Sequence, residues 1–305
     1  MTGFFMLSGY SLWLAYGKKN LLEANNIKGF YIKRLITIYP LYIVMGTLAV
    51  LMEIMVGRQS ITDNIILLPI ELLGIQAFFD GSLFSFSHNG GTWFVSCILI
   101  CYFMFPFLKE LIRRLNSKGT TWLLLLILAL LPYSYFLSTR YDGGIMYTNA
   151  FFRVLEFFLG MLVAKINIES KNDAKFLKFL RSWQILLITL AILVIGLSIL
   201  NHYKVRNEIF LYPCLVIIFI SLGYQKFPQQ LYNKRWILYA SGLAYSFYLS
   251  QFLIWNPAKF VQLHLGEFGN MTKITGTLIA TLFFSILSHE IIEKRLVAYL
   301  KKKLI

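Results

Sequence analysis

Apolar runs separated by short polar, mostly basic turns make up this chain, at about residues 2–16, 35–56, 92–112, 120–138, 150–166, 182–201, 209–225, 237–258 and 272–292. Most approach the ~20 residues that a helix needs to cross the hydrocarbon core of a bilayer, and the first is shorter. The pattern predicts an all-α protein, a polytopic integral membrane helix bundle with about nine spans. A further run at about 64–79 is bounded by Asp63 and Asp80 and carries Pro69 and Glu71. That is too interrupted for a span and predicts an interfacial or re-entrant helix. Two runs contain breakers. Ser8-Gly9 divides the first, and either local unwinding beside a cavity or close packing of helices through small residues would account for it. Pro40 removes a backbone donor and invites a kink. No internal repeat or low-complexity linker divides the chain, which reads as one domain over residues 1–305.

Composition agrees with a lipid environment. Of 305 residues 58% are hydrophobic and only 14% charged, and the mean hydropathy is +0.65, against about 25% charged residues in soluble domains. The net charge of +15 would fit a nucleic-acid binder if the charge were clustered on one soluble face, but it follows the turns instead. Twenty-two Lys and Arg lie on one side: Lys18 to Arg34, Lys109 to Lys118, Lys165 to Arg181, Lys226 to Arg235, and Lys294 to Lys303. Six lie on the other (Arg58, Arg140, Lys204, Arg206, Lys259, Lys273), and Arg153 falls inside a span. The positive-inside rule makes the richer side, with the C-terminus, cytoplasmic. The basic excess then serves topology and contact with anionic lipid, and no nucleic-acid partner is expected. Cys97, Cys101 and Cys214 all stand in apolar runs without disulfide or metal spacing, as small packing residues do. No basic leader or cleavage site precedes the first run.

The opening, Met1 to Tyr42, combines FFMLSGYSLWLAY, a polar loop and Lys33-Arg34 leading into ITIYPLY. It resembles the FFxxSGY and RRxxRIxPxY segments of the membrane acyltransferase 3 family. Gly91 to Leu108 is similar to that family's WFLxxxxxxYxxxPxL helix, through Trp93, Tyr102 and Pro106. Phe151 to Ile166 is similar to its RxxEFxxGMxxA helix, AYSFYLSQFLIW to SYxxYLxH, and HEIIEKRL to a terminal IEK. Five matches in order, over nearly the whole chain, imply a multi-pass cell-membrane acyltransferase. It would move an acetyl or similar group from cytoplasmic acyl-coenzyme A, a co-substrate rather than a cofactor, to a carbohydrate hydroxyl. The resemblance also implies ten helices. A Met1 placed outside directly before an apolar run is unusual, so the chain is expected to lack the family's first helix. That helix carries an Arg and a His about ten residues apart, neither of which stands here, and the chain as written is expected not to catalyse transfer.

For the donor, Lys33 and Arg34 are expected at the cytoplasmic N-terminus of a helix, where unpaired backbone N–H groups favour a phosphate. Anchoring the span is the plainer role for such a pair. The family's second Arg is Thr37 here, which offers a hydrogen bond without charge. Arg153 and Glu156, spaced i, i+3, are placed to pair and to face the bundle interior. They form either a polar wall of the acyl-transfer tunnel, together with Ser8, Gly9, Trp93, Tyr102 and Gln251, or a self-satisfied structural pair. Partners in an ion-coupled permease of a glycan or lipid intermediate would look the same, so that function class stays open. No histidine is a convincing base. His88, in an outer loop before Trp93, is the nearest candidate; His202 and His264 lie in outer loops without a carboxylate or hydroxyl arrangement beside them in the sequence. His289, Glu290 and Glu293 mimic part of HExxH but lack its second His and sit at the cytoplasmic end of the last span, so no metal site is expected. Gln251 stands where family members often have His and cannot act as a base.

Overall fold

Every apolar run of the sequence is a helix. The computed structural model describes residues 1–56, 61–79, 89–138, 148–169, 175–202, 208–224, 234–265 and 270–304. They form α1 (Thr2–Tyr16), α2 (Ala24–Val56), α3 (Ile61–Leu73), a 3-10 turn (Gln76–Phe79), α4 (Thr92–Arg114), α5 (Ser117–Ser138) and α6 (Ala150–Glu169). After these come α7 (Lys175–Leu180), α8 (Trp183–His202), α9 (Glu208–Tyr224), α10 (Arg235–Leu265) and α11 (Asn270–Ser288), a π-helical stretch (His289–Leu296) and α12 (Val297–Leu304). Among the described residues there is no strand. Among the described residues five segments are long and apolar enough to cross a membrane: Ala24–Ile54, Thr92–Arg114, Trp183–His202, Arg235–Trp255 and Met271–Leu304. The other four expected spans coincide with α1, α5, α6 and α9. The interrupted run near 64–79 is α3 plus the 3-10 turn, too short to cross.

The start of α2 corrects the sequence reading. A polar loop was expected up to Lys33-Arg34, yet the helix begins at Ala24. Asn25, Asn26 and Lys28 are poor apolar markers, but nothing in their side chains forbids helix, and the apolar run behind them propagates it. Pro40 stands inside α2 without ending it.

The chain divides into two compact units, Met1–Ala24 with Ile100–Lys226, and Asn25–Leu99 with Phe227–Ile305. In the first, α1 lies against α6 at a crossing of two glycines. A Cβ on Gly9 would stand 2.0 Å from the Phe157 carbonyl oxygen, and one on Gly160 would stand 1.9 Å from that of Met6. Only a hydrogen fits at either position, so the backbones touch. The helix of Ser8 and Gly9 is unbroken; close packing, not unwinding, accounts for the small residues.

Contacts at both ends fix helix direction. Thr2 meets Glu156 while Tyr10 meets Asn167, so α1 and α6 run the same way. Ser8 meets Tyr102 and Lys19 meets Lys109, which orients the later part of α4 likewise. Tyr212 meets Glu156 and the Phe219 carbonyl meets Asn167, which adds α9. Four helices that the charge pattern sends from outside to inside therefore run parallel.

In the second unit the α3 hairpin is tied to α2. Tyr39 donates to the Leu73 carbonyl at 2.9 Å, and Tyr42 donates to the Glu71 carbonyl and meets the Gln76 amide. The backbone N–H of Ala77 donates to Ser96 on α4. Buried Asn89 caps α4, its side-chain oxygen accepting from the Gly91 N–H at 3.0 Å. Its amide donates to the Leu249 carbonyl of α10 at 3.1 Å.

Candidate functional site

At one end of the first unit Glu156 collects three donors. Arg153 Nη1 lies 2.8 Å from Oε2, while Thr2 Oγ1 and the Tyr212 hydroxyl each donate to Oε1 at 2.9 Å. Glu156 is 0% exposed and Arg153 6%. The guanidinium also stands over the Phe5 ring, 5.8 Å from its centroid. An i, i+3 pair alone would be a local matter; the hydroxyls from α1 and α9 make it a tie between three helices. A carboxylate held by an Arg and two hydroxyls is a fixed anion, and abstracting a proton would require it to give up one of those bonds. Ser8 donates to the Tyr102 hydroxyl at 3.2 Å, and the Tyr102 ring packs on Phe157.

At the other end of this unit the basic residues turn inward. Lys109, Lys165 and Arg181 are 3%, 2% and 4% exposed. Lys165 Nζ donates to the Ile112 and Leu115 carbonyls at 2.7 and 2.6 Å, closing the C-terminal end of α4, with Glu169 3.6 Å away. Lys109 donates to the Lys19 carbonyl, and Arg181 reaches the Ile166 carbonyl at 3.5 Å. Helix C-termini leave carbonyls without intrahelical partners and carry partial negative charge, so a buried ammonium is stabilised there. The positive-inside count saw these three as loop charges, whereas each joins one helix end to another segment.

In the second unit Lys33 is exposed and Arg34 half-buried, with its guanidinium 5.6 Å from the Phe30 ring centroid. Both stand more than two turns into α2. The expected N-terminal anion site is therefore absent at this position: the backbone N–H groups around Arg34 already belong to the helical ladder. Any anion held here is held by side chains. Thr37 spends its hydroxyl on the Lys33 carbonyl at 2.7 Å. Trp93 is 3% exposed in the first turn of α4. Gln251 is half-buried on α10, beside Phe252, whose ring covers Gly90 and Gly91.

The π-helical stretch changes the setting of His289. Its Nδ1 contacts Glu293 Oε2, with the side chains 10% and 15% exposed. The Tyr239 ring of α10 stands edge-on to the imidazole at 5.6 Å. Glu290 pairs with Lys294 at 2.6 Å, and Lys294 lies over Tyr239. His202 is exposed at the end of α8, and His88 lies outside the described residues. Among the described residues no group of three or more His, Cys, Asp or Glu is placed to hold a metal ion.

The family model for an acyltransferase domain, acyltransferase 3, matches residues 1–290. The chain belongs to this membrane acyltransferase family. No curated protein and no solved structure matches it. Within this acyltransferase-family chain, the structure gathers Ser8, Gly9, Tyr102, Arg153 and Glu156 in one unit. Lys33, Arg34, Thr37, Trp93 and Gln251 belong to the other. Sequence reasoning missed Tyr212 and Thr2, since nothing in a hydroxyl's local sequence announces a carboxylate 56 or 154 residues away. It also missed Asn89, although Asn before Gly-Gly-Thr at the head of an apolar run is a legible capping signal.

Proposed function

We propose that this chain is a membrane O-acyltransferase. It moves an acetyl or similar small acyl group from cytoplasmic acyl-coenzyme A to a hydroxyl of a cell-surface or exported carbohydrate. The observation that carries this reading is the family match over residues 1–290. Arg34 supports the donor assignment: it is the motif arginine, half-buried beside Phe30. A guanidinium keeps its charge under all conditions and engages phosphate oxygens in pairs. Exposed Lys33 is the weaker partner, and Thr37 contributes through its helix rather than to a ligand. The acyl group leaves a thioester and the acceptor oxygen attacks its carbonyl carbon. The protein's task is to hold donor and alcohol in register and to receive the alcohol's proton.

A catalytically complete form of the protein in detergent or liposomes, given acetyl-coenzyme A and a panel of glycan acceptors, is expected to release free coenzyme A only when an acceptor is present. Arg34→Ala should weaken donor binding about ten- to a hundredfold, the loss of a charge-assisted contact worth roughly 1.5–3 kcal/mol. Lys18→Ala should have little effect. Equal effects of the two substitutions would reduce Arg34 to a membrane anchor. Solute transport without donor consumption would replace the acyltransferase with a permease.

A further inference from the structure

The last helical segment is longer than a membrane is thick. Together α11, the π-helical stretch and α12 make one segment, Met271–Leu304, of 34 residues, about 51 Å at 1.5 Å per residue. The hydrocarbon core is about 30 Å thick. Even at a tilt of about 40°, the upper end for membrane spans, only about 26 residues fit inside it. At the N-terminal end Lys273 lies over the Trp255 ring of α10, 5.2 Å from its centroid, an aromatic and a snorkelling amine of the kind found at an interface. The excess therefore falls at the C-terminal end. Neighbouring α10 does not cover it. The Tyr239 ring and Gly242 face His289, α10 begins nearby at Arg235, and the longer segment runs on to Leu304. The family match also stops short of this end, at residue 290.

We propose that the end of this segment, Arg295 to Leu304, is a docking surface for anionic phospholipid headgroups, on the side that loop charge assigns to the cytoplasm. The inference is independent of the acyltransferase reading and adds a lipid partner to it.

The charge of this end is unbalanced. Glu290 pairs with Lys294 and Glu293 with His289, and no acidic residue follows Glu293. Arg295, Lys302 and Lys303 are exposed and Lys301 is half-buried. These cations are left to an anion outside the chain. Their attraction to an anionic leaflet acts within a Debye length of its surface, which is where a segment leaving the core emerges.

The apolar side chains decide which anion. Leu296, Tyr299 and Leu304 are exposed. Leu296, Leu300 and Leu304 recur every fourth residue and share one face with Tyr299, while Lys301 and Lys302 fall on the opposite face. A free phosphate or a nucleotide would meet the ammonium groups but leave the apolar face in water. A lipid surface serves both: the acyl boundary takes the leucines and the tyrosine ring, and the lysine stems carry their charges out to the phosphates.

The test uses the full chain with Cys97, Cys101 and Cys214 replaced and Ala298→Cys, an exposed position, carrying a fluorophore. Quenching by neutral acrylamide reports its exposure to water. The probe should be protected in vesicles of phosphatidylcholine mixed with phosphatidylglycerol and open in phosphatidylcholine alone. Salt at about 1 M, where the Debye length falls to about 3 Å, should remove the protection. Replacing Lys301, Lys302 and Lys303 together by Gln should lower the docked-to-free ratio about a hundredfold, about fivefold for each lysine, with the thermal midpoint unchanged. Lys118→Gln should leave it as it was. Equal quenching in the two kinds of vesicle overturns the proposal, as does protection that survives a well-folded triple variant. Protection by inorganic phosphate or coenzyme A in phosphatidylcholine alone would give the cations to a soluble anion and overturn it too. The lipid and salt comparisons need no lysine substitution, so they decide the question even where the triple variant fails to fold.

Discussion

At the scale of single residues, the most consequential feature is a carboxylate without exposure. Glu156 survives in an apolar bundle because Arg153 balances its charge and Thr2 and Tyr212 fill its remaining lone pairs. Replacing one member strands the other. Glu156→Ala should cost roughly 3–5 kcal/mol by leaving a buried guanidinium unpaired, seen as a lower unfolding midpoint in detergent. The double substitution Arg153→Leu with Glu156→Leu should recover most of that loss, since a buried pair often does no better than well-packed apolar side chains. If the double variant is as unstable as the single one, the hydroxyls of Thr2 and Tyr212, rather than the charges, hold the three helices. The i, i+3 spacing made the pair legible in the sequence. Its partners were not legible, because they depend on which helices become neighbours.

Elements show the same division. Hydropathy located the long helices, since a run that fills the membrane's thickness needs no finer pattern, but it passed over the short, basic α7 and α12 and misplaced the start of α2, where amides and a lysine look like loop. Ser8-Gly9 carried two meanings that only the backbone of α6 separates. Gly160→Ala should be costly, on the order of 1–3 kcal/mol or more for forced overpacking, because the added methyl meets the Met6 carbonyl oxygen. Gly46→Ala, also in a helix but with nothing within 4 Å of its Cβ position, should be neutral or gain about 0.5–1 kcal/mol from backbone entropy. Equal thermal midpoints for the two variants would remove the case for a glycine contact between α1 and α6. Helix ends add a third comparison. Lys165→Met keeps the aliphatic stem but withdraws the donor from the Ile112 and Leu115 carbonyls, at roughly 1–3 kcal/mol. Hydrogen exchange should rise at the end of α4, and uniform loss of protection along α6 instead would mean that the lysine acts through packing.

For the whole molecule the open quantity is orientation. Loop charge predicts it, by twenty-two basic residues against six, but charge counting assumes that each apolar run crosses. The structure tests part of that assumption independently. If α1, α6 and α9, together with the end of α4, each cross once, alternating topology requires them to run in one direction, and the contacts of Glu156, Asn167, Tyr102 and Lys109 show that they do. A run that failed to cross would reverse every helix after it. In a background with Cys97, Cys101 and Cys214 replaced, Lys118→Cys should therefore react with a membrane-impermeant thiol reagent only after the membrane is opened. His202→Cys, at the far end of α8, should react in intact cells. Both positions are exposed, so silence at either reports the side rather than burial. Labelling of Lys118→Cys in intact cells would overturn the orientation that loop charge predicts, and with it the cytoplasmic assignment of Lys33 and Arg34. The donor would then have to come from outside, and acyl-coenzyme A, which is kept within the cytoplasm, would no longer be a tenable substrate.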